Sequence, residues 1–456
     1  MSILDRKKID MTSGVIWKQI VQFAIPLFIG NLFQQFYNTV DSIVVGQFVG
    51  KAALAAVGTT MPVINTMVGI FTGLSTGATV VLSQFFGAKD KDGIHKTVHT
   101  TIALTIICGI VLGAIGFFLA NPLLVLMKTP ADVFEVESSY LKIYFAGVIS
   151  LMMYNMGSGI LRAVGDSKRP LYFLIICSIL NVILDLLFVA VFKMGVAGAA
   201  VATIIAQLVS GLLIMRVLMR SNEDIKLILK DIRLDLTVFK KIVKVGIPAS
   251  IQMSIVSFSN VFVQSYINFF GSDVIAGWSA HMKLESFCML PVQSISLAAT
   301  TFVAQNIGAD QRERAAKGCK TTVLMGIALQ LFIVAVLVLF KENLLHLFTK
   351  DPVVIEYGKV FIMHITPFCI FSGIANCFAG AIRGAGDSKT ATIILLGSNV
   401  VFRQVYLIIT TKFVNTVPSV SLAFPLAWLL GAVLMFSYFM TGKWKTKSLM
   451  KKDRKD

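Results

Sequence analysis

The amino-acid sequence predicts an all-α polytopic membrane protein with twelve transmembrane helices, arranged as two parallel six-helix repeats. Three observations lead to this prediction. Of the 456 residues, 56% are hydrophobic and only 14% are charged, whereas soluble domains carry about 25% charged residues. Apolar runs recur along the whole chain, and each has the roughly 20 residues needed to cross a hydrocarbon core. One polar turn occurs twice, as RAVGDSKRP at 162–170 and as RGAGDSKT at 383–390.

The apolar runs define the predicted spans. In the first half they cover about 15–40, 53–80, 97–120, 137–160, 171–191 and 196–218. In the second half they cover about 240–265, 274–302, 319–340, 356–379, 391–411 and 418–440. Turn-forming sequences such as GAKDKDG at 87–93 separate them. The prediction is therefore an N-terminal lobe at 1–220, a charged cytoplasmic linker at 221–236, and a C-terminal lobe at 237–456 with a basic tail.

The duplicated turn belongs to a repeat of the whole six-span half. QFFGAKD at 84–90 matches QNIGADQ at 305–311, and LLVLM at 123–127 matches LLHLF at 344–348, both at an offset of 221 residues. IP at 25–26 matches IP at 247–248 at an offset of 222, so one insertion or deletion lies between. Because six is even, the second copy enters the membrane from the same side. Such parallel repeats are used by transporters.

Basic residues indicate the orientation of the chain. Of its 41 Lys and Arg, 31 fall in segments on the predicted inner side, six in outer loops and four within or at the ends of spans. Cytoplasmic loops collect Lys and Arg, so we expect a multi-pass cell-membrane protein with both termini in the cytoplasm. The net charge of +17 is scattered among loops, and a nucleic-acid partner is therefore not expected.

The first span carries a polar face. Asn31, Gln34, Asn38 and Asp41 follow one another at three or four residues, which places them on one side of a helix. A charge within the membrane costs roughly 2.5–3.5 kcal/mol and marks a functional candidate. The face either lines a water-filled cavity or joins two helices as a polar seam. Pro26, upstream, removes a backbone hydrogen bond and is a candidate hinge.

The fifth and sixth spans add further oxygen-bearing side chains. Asn181 and Asp185 share a helix face, and Thr203 lies on the next span. Hard cations prefer such oxygen ligands, and a buried carboxyl near a like charge can instead hold a proton. We therefore predict one sodium or proton site at Asp41, Asn181, Asp185 and Thr203, with no other metal and no cofactor. The repeat counterparts in the second half lack this set: Phe262 or Val263, Phe402, Tyr406 and Phe424.

The second half has its own charged residues within predicted spans. His281, Lys283 and Glu285 lie in span eight, and Arg403 lies in span eleven. We expect them to be buried, with Glu285 facing Arg403 across helices, and either a structural ion pair or contact with a substrate is possible. The candidate substrate-cavity residues are Gln34, Asn38, Lys283, Glu285 and Arg403.

Enzyme activity is not expected from the sequence. There is no GxxxxGK[ST] phosphate loop, and no Ser/His/Asp or Cys/His arrangement stands out. The six cysteines lie mostly in apolar runs, and no CxxC motif occurs. This indicates that they pack within the helices and do not form disulfides or a zinc site. His95 and His99 are four residues apart, but a metal site would need more ligands.

With these motifs the chain resembles the multidrug and toxic compound extrusion (MATE) family over nearly its whole length. The resemblance rests on IPLFIGNLFQQFYNTVDSIVVGQFVG, the two GDSK turns, QFFGAKD and QNIGAD. It implies two six-helix lobes in a V around a central cavity. It also implies export of cationic amphipathic small molecules in exchange for sodium ions or protons. We expect the protein to act as a monomer in the lipid bilayer.

The chain looks closest to the prokaryotic DinF-type branch of that family. In this branch the ion site is formed by residues matching Asp41, Asn181, Asp185 and Thr203. The NorM-type branch has acidic residues in spans seven and ten, where this chain has residues such as Val256 and Ser372. The resemblance therefore does not imply a second-lobe site of the NorM type.

Two other functions fit parts of the pattern. A flippase for lipid-linked precursors would belong to the same superfamily, but it needs a strongly cationic cavity, and the first half offers carboxylates instead. A carrier of the major facilitator type would show G-x-x-x-D-[RK] between spans two and three, where this chain has GAKDKDG.

Overall fold

The computed structural model describes residues 9–127, 129, 131–221 and 224–450. The charged N-terminus through Lys8, the loop residue Lys128 and the tail 451–456 lie outside the described residues, as does the side chain of Lys51. Within the described ranges every regular element is a helix. This agrees with the predicted all-α class.

The described residues of the first half form seven α-helices: α1 Ile16–Phe48, α2 Lys51–Gly87, α3 Lys91–Leu126, α4 Ala131–Ala146, α5 Val148–Ala163, α6 Lys168–Asp185 and α7 Gly195–Arg220. The described residues of the second half form ten: α8 Leu236–Asn268, α9 Ser272–Gly308, α10 Arg312–Leu339, α11 Lys341–His346, α12 Pro352–Ile365, α13 Cys369–Gly384, α14 Ser388–Leu396, α15 Arg403–Phe413, α16 Val417–Ser421 and α17 Ala423–Met440. Two π-helical segments, Leu186–Val191 and Gly397–Phe402, follow α6 and α14.

The number of spans agrees with the prediction. Among the described residues, 11 helices are long and apolar enough to cross a membrane, and the count reaches 12 when a bent pair is taken as one span. That pair is Val133–Ala146 and Val148–Ala163, bent by 45°. The bend falls at Gly147, where a Cβ atom would lie 2.3 Å from Ile204. The fourth predicted span, 137–160, is thus a broken helix, because α7 packs closely against Gly147.

The repeat seen in the sequence is also a repeat of individual hydrogen bonds. The Ser75 hydroxyl donates to the Asn155 carbonyl at 2.8 Å, joining α2 to α5. At the 221-residue offset, the Ser296 hydroxyl donates to the Asn376 carbonyl at 2.7 Å, joining α9 to α13. Side-chain hydrogen bonds to backbone carbonyls hold membrane helices together. Both halves therefore build their central helix pair in the same way.

The chain divides into two compact units whose limits differ from the predicted lobe boundaries. One unit contains Ile25–Gly246, and the other contains Met11–Ala24 with Ile247–Asp456. The divisions fall within α1 and α8, beside Pro26 and Pro248, which lie inside these helices. The predicted lobes at 1–220 and 237–456 follow chain order, whereas the spatial proximity of the backbone assigns the first part of each of these helices to the other unit.

The segment following α7 is docked on the start of α3 in the first unit. The His99 Nε2 atom accepts a hydrogen bond from the Ile228 N–H at 3.0 Å, and Nδ1 lies 2.7 Å from the His95 carbonyl. His95 Nε2 lies 3.3 Å from Asp231 Oδ2. Both ring nitrogens of His99 are thus engaged with the backbone, so His95 and His99 fasten the linker to α3.

The two GDSK turns are helix starts with a left-handed glycine. Gly165 has φ +83° and Gly386 has φ +101°. Asp166 Oδ1 then accepts the N–H groups of Lys168 and Arg169 at 3.2 and 3.1 Å. Acidic side chains commonly satisfy the free N–H groups at a helix N-terminus. The turn is therefore duplicated because each half needs the same tight entry into its fifth span.

We expect Gly165→Ala to lower the thermal stability of the purified protein. An added Cβ would lie 2.0 Å from the Ile9 carbonyl oxygen, in a left-handed conformation. Such strain costs about 1–3 kcal/mol. Gly397→Ala is the matched control, because nothing lies within 4 Å of its Cβ position. Equal melting temperatures for the two variants in a thermal-shift assay would contradict this account of the turn.

Candidate ion-binding site

Three helices of the first unit carry the predicted ion-site residues. Asp41 lies on α1, Asn181 and Asp185 lie one turn apart on α6, and Thr203 lies on α7. Asp185 is the last α-helical residue before the π-helical segment Leu186–Val191. Widened turns of this kind occur frequently at functional sites. Here the π-helical segment begins directly after Asp185.

Asn181 and Asp185 are buried, whereas Asp41 and Thr203 are half-buried, and hydrogen bonds join part of the set. Asp185 is 0% exposed and Asn181 is 1% exposed. The Asn181 Nδ2 atom donates to the Thr203 hydroxyl at 3.4 Å, and that hydroxyl donates to the Ala199 carbonyl at 3.0 Å. The charges of Asp41 and Asp185 are close enough to interact. The structure thus brings together all four residues that the sequence singled out.

Several oxygens of this set have no hydrogen-bond partner. They are Asp41 Oδ1, Asn181 Oδ1 and both carboxylate oxygens of Asp185. Buried polar atoms are paired in about 90% of cases, and exceptions need an explanation. Three of these four buried acceptors are carboxylate oxygens, and a bound cation or proton would supply the partner that they lack.

Tyrosines surround these carboxylates, and the sequence interpretation missed them. The Tyr140 side chain interacts with both Asp41 and Asp185. Tyr144 lies beside it, with ring centroids 6.4 Å apart. Tyr37 is buried and hydrogen-bonds to Gln34. Only Tyr37 could have been found from spacing, because it lies four residues before Asp41 on the same helix face.

The polar face of α1 is not uniform. Asn31, Gln34 and Asp41 are half-buried, whereas Asn38 is exposed. Of the candidate cavity residues on this helix, Gln34 is therefore engaged with Tyr37, and Asn38 is free to meet solvent or a bound molecule.

The second unit contains a separate buried polar cluster. Arg403 is 3% exposed, and its Nη2 atom donates to the Ser259 hydroxyl at 3.0 Å and to Asn260 Oδ1 at 2.8 Å. Gln404 Nε2 donates to the same Ser259 hydroxyl at 3.0 Å. The charge of Arg403 also acts on Glu285, which is 7% exposed. Arg403 and Glu285 are thus buried in one cluster, as the sequence predicted.

The prediction that Lys283 is buried with these charges is wrong. Lys283 is exposed, and its ammonium group lies 5.4 Å from the centre of the Phe348 ring. Two residues along a helix turn a side chain by about 200°, so Lys283 points away from the face that carries His281 and Glu285. Its long side chain reaches an aromatic ring in a cation–π contact instead.

The comparisons with known proteins agree with this architecture. The probable multidrug resistance proteins YpnP and YoeA of Bacillus subtilis (strain 168) are 30% and 27% identical to the chain over 443 and 450 residues. These alignments cover 97% of this chain and 99% of YpnP, and 95% of this chain and 95% of YoeA. An outward-facing multidrug resistance MATE transporter of the MOP superfamily superposes with a TM-score of 0.90 at 23% identity, covering 96% of this chain and 98% of that one.

The model of the MatE family matches the sequence twice, at 26–187 and at 248–409. These two matches are offset by 222 residues, which confirms the internal duplication. Together they span well over half of the chain. The chain therefore belongs to the MatE family, the multidrug and toxic compound extrusion transporters.

Proposed function

We propose that this protein exports cationic amphipathic compounds across the cell membrane in exchange for protons or sodium ions. One observation carries the proposal: the unpartnered buried oxygens of Asp41, Asn181 and Asp185 in the first unit. The names of the relatives as multidrug resistance proteins support the substrate class. Two carboxylates in an apolar setting attract positive charge, and only a mobile cation can both satisfy and leave them.

The coupling ion would act by neutralising this pair of carboxylates. Asp41 and Asp185 repel each other while both are ionised, and an ion between them removes the repulsion. A ligand shifts a conformational equilibrium only by its different affinity for the two states. An ion that binds tightly in one state therefore favours that state, and a cationic substrate that prefers the other state is released.

Either ion suits the donor set. A sodium ion would take oxygens from Asp41, Asn181, Asp185 and Thr203. The Thr203 hydroxyl keeps one lone pair while it donates to Ala199 and accepts from Asn181. Hard cations favour six or more oxygen ligands, so water or a tyrosine hydroxyl would complete the shell. A proton would need only one of the two carboxylates. Exposed Asn38 is the side chain of this face that we expect a bound compound to contact.

Pro26 serves as the hinge in this scheme. The division between the two units falls between Ala24 and Ile25, one residue from Pro26. Proline removes one helical hydrogen bond and weakens the helix where it lies. Pro248 has the same relation to the division between Gly246 and Ile247 in α8. Movement concentrated at these two places would leave the packed parts of each unit unchanged.

We also place the protein in the plasma membrane as a monomer with both termini in the cytoplasm. This orientation is supported by the excess of Lys and Arg in the segments that would then face inward.

Transport in proteoliposomes tests the proposed exchange. A sodium gradient and a pH gradient are each imposed alone, and we expect one of them to drive export of a fluorescent lipophilic cation. Without a gradient we expect no export. The gradient that drives transport identifies the coupling ion. Absence of export under both gradients, with correctly inserted protein, would contradict antiport and favour a lipid-linked substrate.

A further inference from the structure

A buried histidine and a buried glutamate face each other in the second unit without a hydrogen bond. His281 and Glu285 lie one turn apart on α9, with His281 Nδ1 and Glu285 Oε2 separated by 3.9 Å. Hydrogen bonds between nitrogen and oxygen span about 2.7–3.2 Å. Both atoms are buried and lack a hydrogen-bond partner. The two side chains therefore face each other without forming a hydrogen bond.

The surroundings determine which ligand this pair can take. The other ring nitrogen, Nε2, lies 3.4 Å from the Thr366 hydroxyl, which accepts from the Nε2–H tautomer. The Nδ1 lone pair then points at the carboxylate of Glu285. A proton placed between them would convert two unsatisfied acceptors into a charge-assisted hydrogen bond. A metal cation is disfavoured, because Arg403 acts on the same carboxylate.

Among the described residues, the side chains that neighbouring helices place around this pair are mostly aromatic rings and thiols. α12 and α17 contribute the rings of Phe361 and Phe424 to the same cluster, and α13 contributes the Cys369 thiol. On α9 itself, the Cys288 thiol is next along this face. The guanidinium of Arg403 is the charged group facing Glu285 from α15. Aromatic faces tolerate a cation nearby, so a charged imidazole has partners on both sides.

We propose that His281 and Glu285 form a proton-binding site of the second unit, separate from the Asp41 and Asp185 site. In loading, the Nδ1 lone pair of His281 takes one proton from a hydronium ion, which becomes water, and the new N–H donates to Glu285 Oε2. In release, the same bond breaks and the proton returns to water. With Arg403 charged, the cluster changes from neutral to one positive charge. Glu285 is slightly exposed and His281 is not, so protons enter beside Glu285.

The repeat supports a role particular to the second unit. At the 221-residue offset, the counterparts of His281 and Glu285 are Thr60 and Ile64, and that of Arg403 is Val182. Residues used only to join helices should recur in both halves, as the Ser75 and Ser296 hydrogen bonds do. Each half thus carries a titratable cluster that the other half has lost.

Tryptophan fluorescence of the purified protein tests the site without any transport. The Trp278 ring lies 5.6 Å from the His281 ring, and a protonated imidazole quenches an adjacent indole. We expect emission to fall as the pH is lowered through roughly pH 9 to 4. The fall should disappear in His281→Gln and in Trp278→Phe. Glu285→Gln should move its midpoint down by about one pH unit, because the carboxylate no longer stabilises the cation.

Two control variants separate this site from other titrating groups. Asp185→Asn, in the first unit, should leave the transition unchanged, and so should His364→Gln, whose ring contacts the Val360 carbonyl. A transition that persists in His281→Gln overturns the proposal. The emission of Trp278 is the difference between the wild type and Trp278→Phe. If this difference does not change over the whole pH range, the proposal is also overturned, and the cluster has a structural role only. Neither outcome bears on the proposed export, which is measured separately.

Discussion

Asp185→Asn and Asp41→Asn are each expected to abolish ion-driven export while the protein still folds. Both changes keep the size of the side chain and remove the charge that attracts the coupling ion. Asp185 is fully buried and neither of its oxygens has a hydrogen-bond partner. Export driven by either gradient in proteoliposomes should therefore fall to the level of liposomes without protein.

Asp185→Asn should abolish export without lowering the thermal stability of the protein. Burying a charge without a partner is costly, so Asp185→Asn should melt at the same temperature as the wild type or higher. A variant that lost export by misfolding would melt lower. Asp224→Asn is the matched control, because this exposed linker carboxylate lies outside the ion site and pairs with Lys91 at 3.3 Å. Full export by Asp185→Asn and Asp41→Asn would exclude an ion site at these residues.

Arg403→Leu is expected to have the largest effect on stability among the buried charges. The substitution removes the donor to Ser259 and Asn260 and leaves the carboxylate of Glu285 without a nearby positive charge. Breaking a buried charge pair costs about 3–5 kcal/mol. We expect a loss of that order in the free energy of unfolding, measured by denaturant titration in detergent.

Adding Glu285→Gln to Arg403→Leu should recover part of this loss. The uncompensated charge is then gone, so the double variant should be more stable than Arg403→Leu alone, with a coupling energy of about 1–3 kcal/mol. Lys283→Leu serves as the control, because Lys283 is exposed and a surface change alters stability by only about 0.5 kcal/mol. Strictly additive effects of the Arg403 and Glu285 changes would show that the two charges act independently.

The sequence predicted the parts of this protein that depend on local composition. Apolar runs identified the spans, because each helix must satisfy its own backbone within the membrane. The 221-residue offset identified the duplication. Spacing along α6 placed Asn181 and Asp185 on one face, and the loss of both in the second half indicated a specialised site. A charged residue in an apolar span is rare, so Asp41 and Asp185 were conspicuous without any tertiary information.

Contacts between helices decided the rest. The spacing of Lys283 and Glu285 showed that they face apart, but only the packing of α9 decided which of them is buried. Tyr140 entered the ion site from α4, far from Asp41 in the chain, and no periodicity within one helix reports such a neighbour. The bend at Gly147 was equally hidden, whereas Pro26 was already a candidate hinge before the structure placed the division between the two units beside it. The sequence by itself determined which segments are helical, how many spans they make and which polar residues are exceptional, because these follow from composition and spacing. Only the tertiary structure decided which residues meet, because that depends on how side chains from separate segments fill the same space.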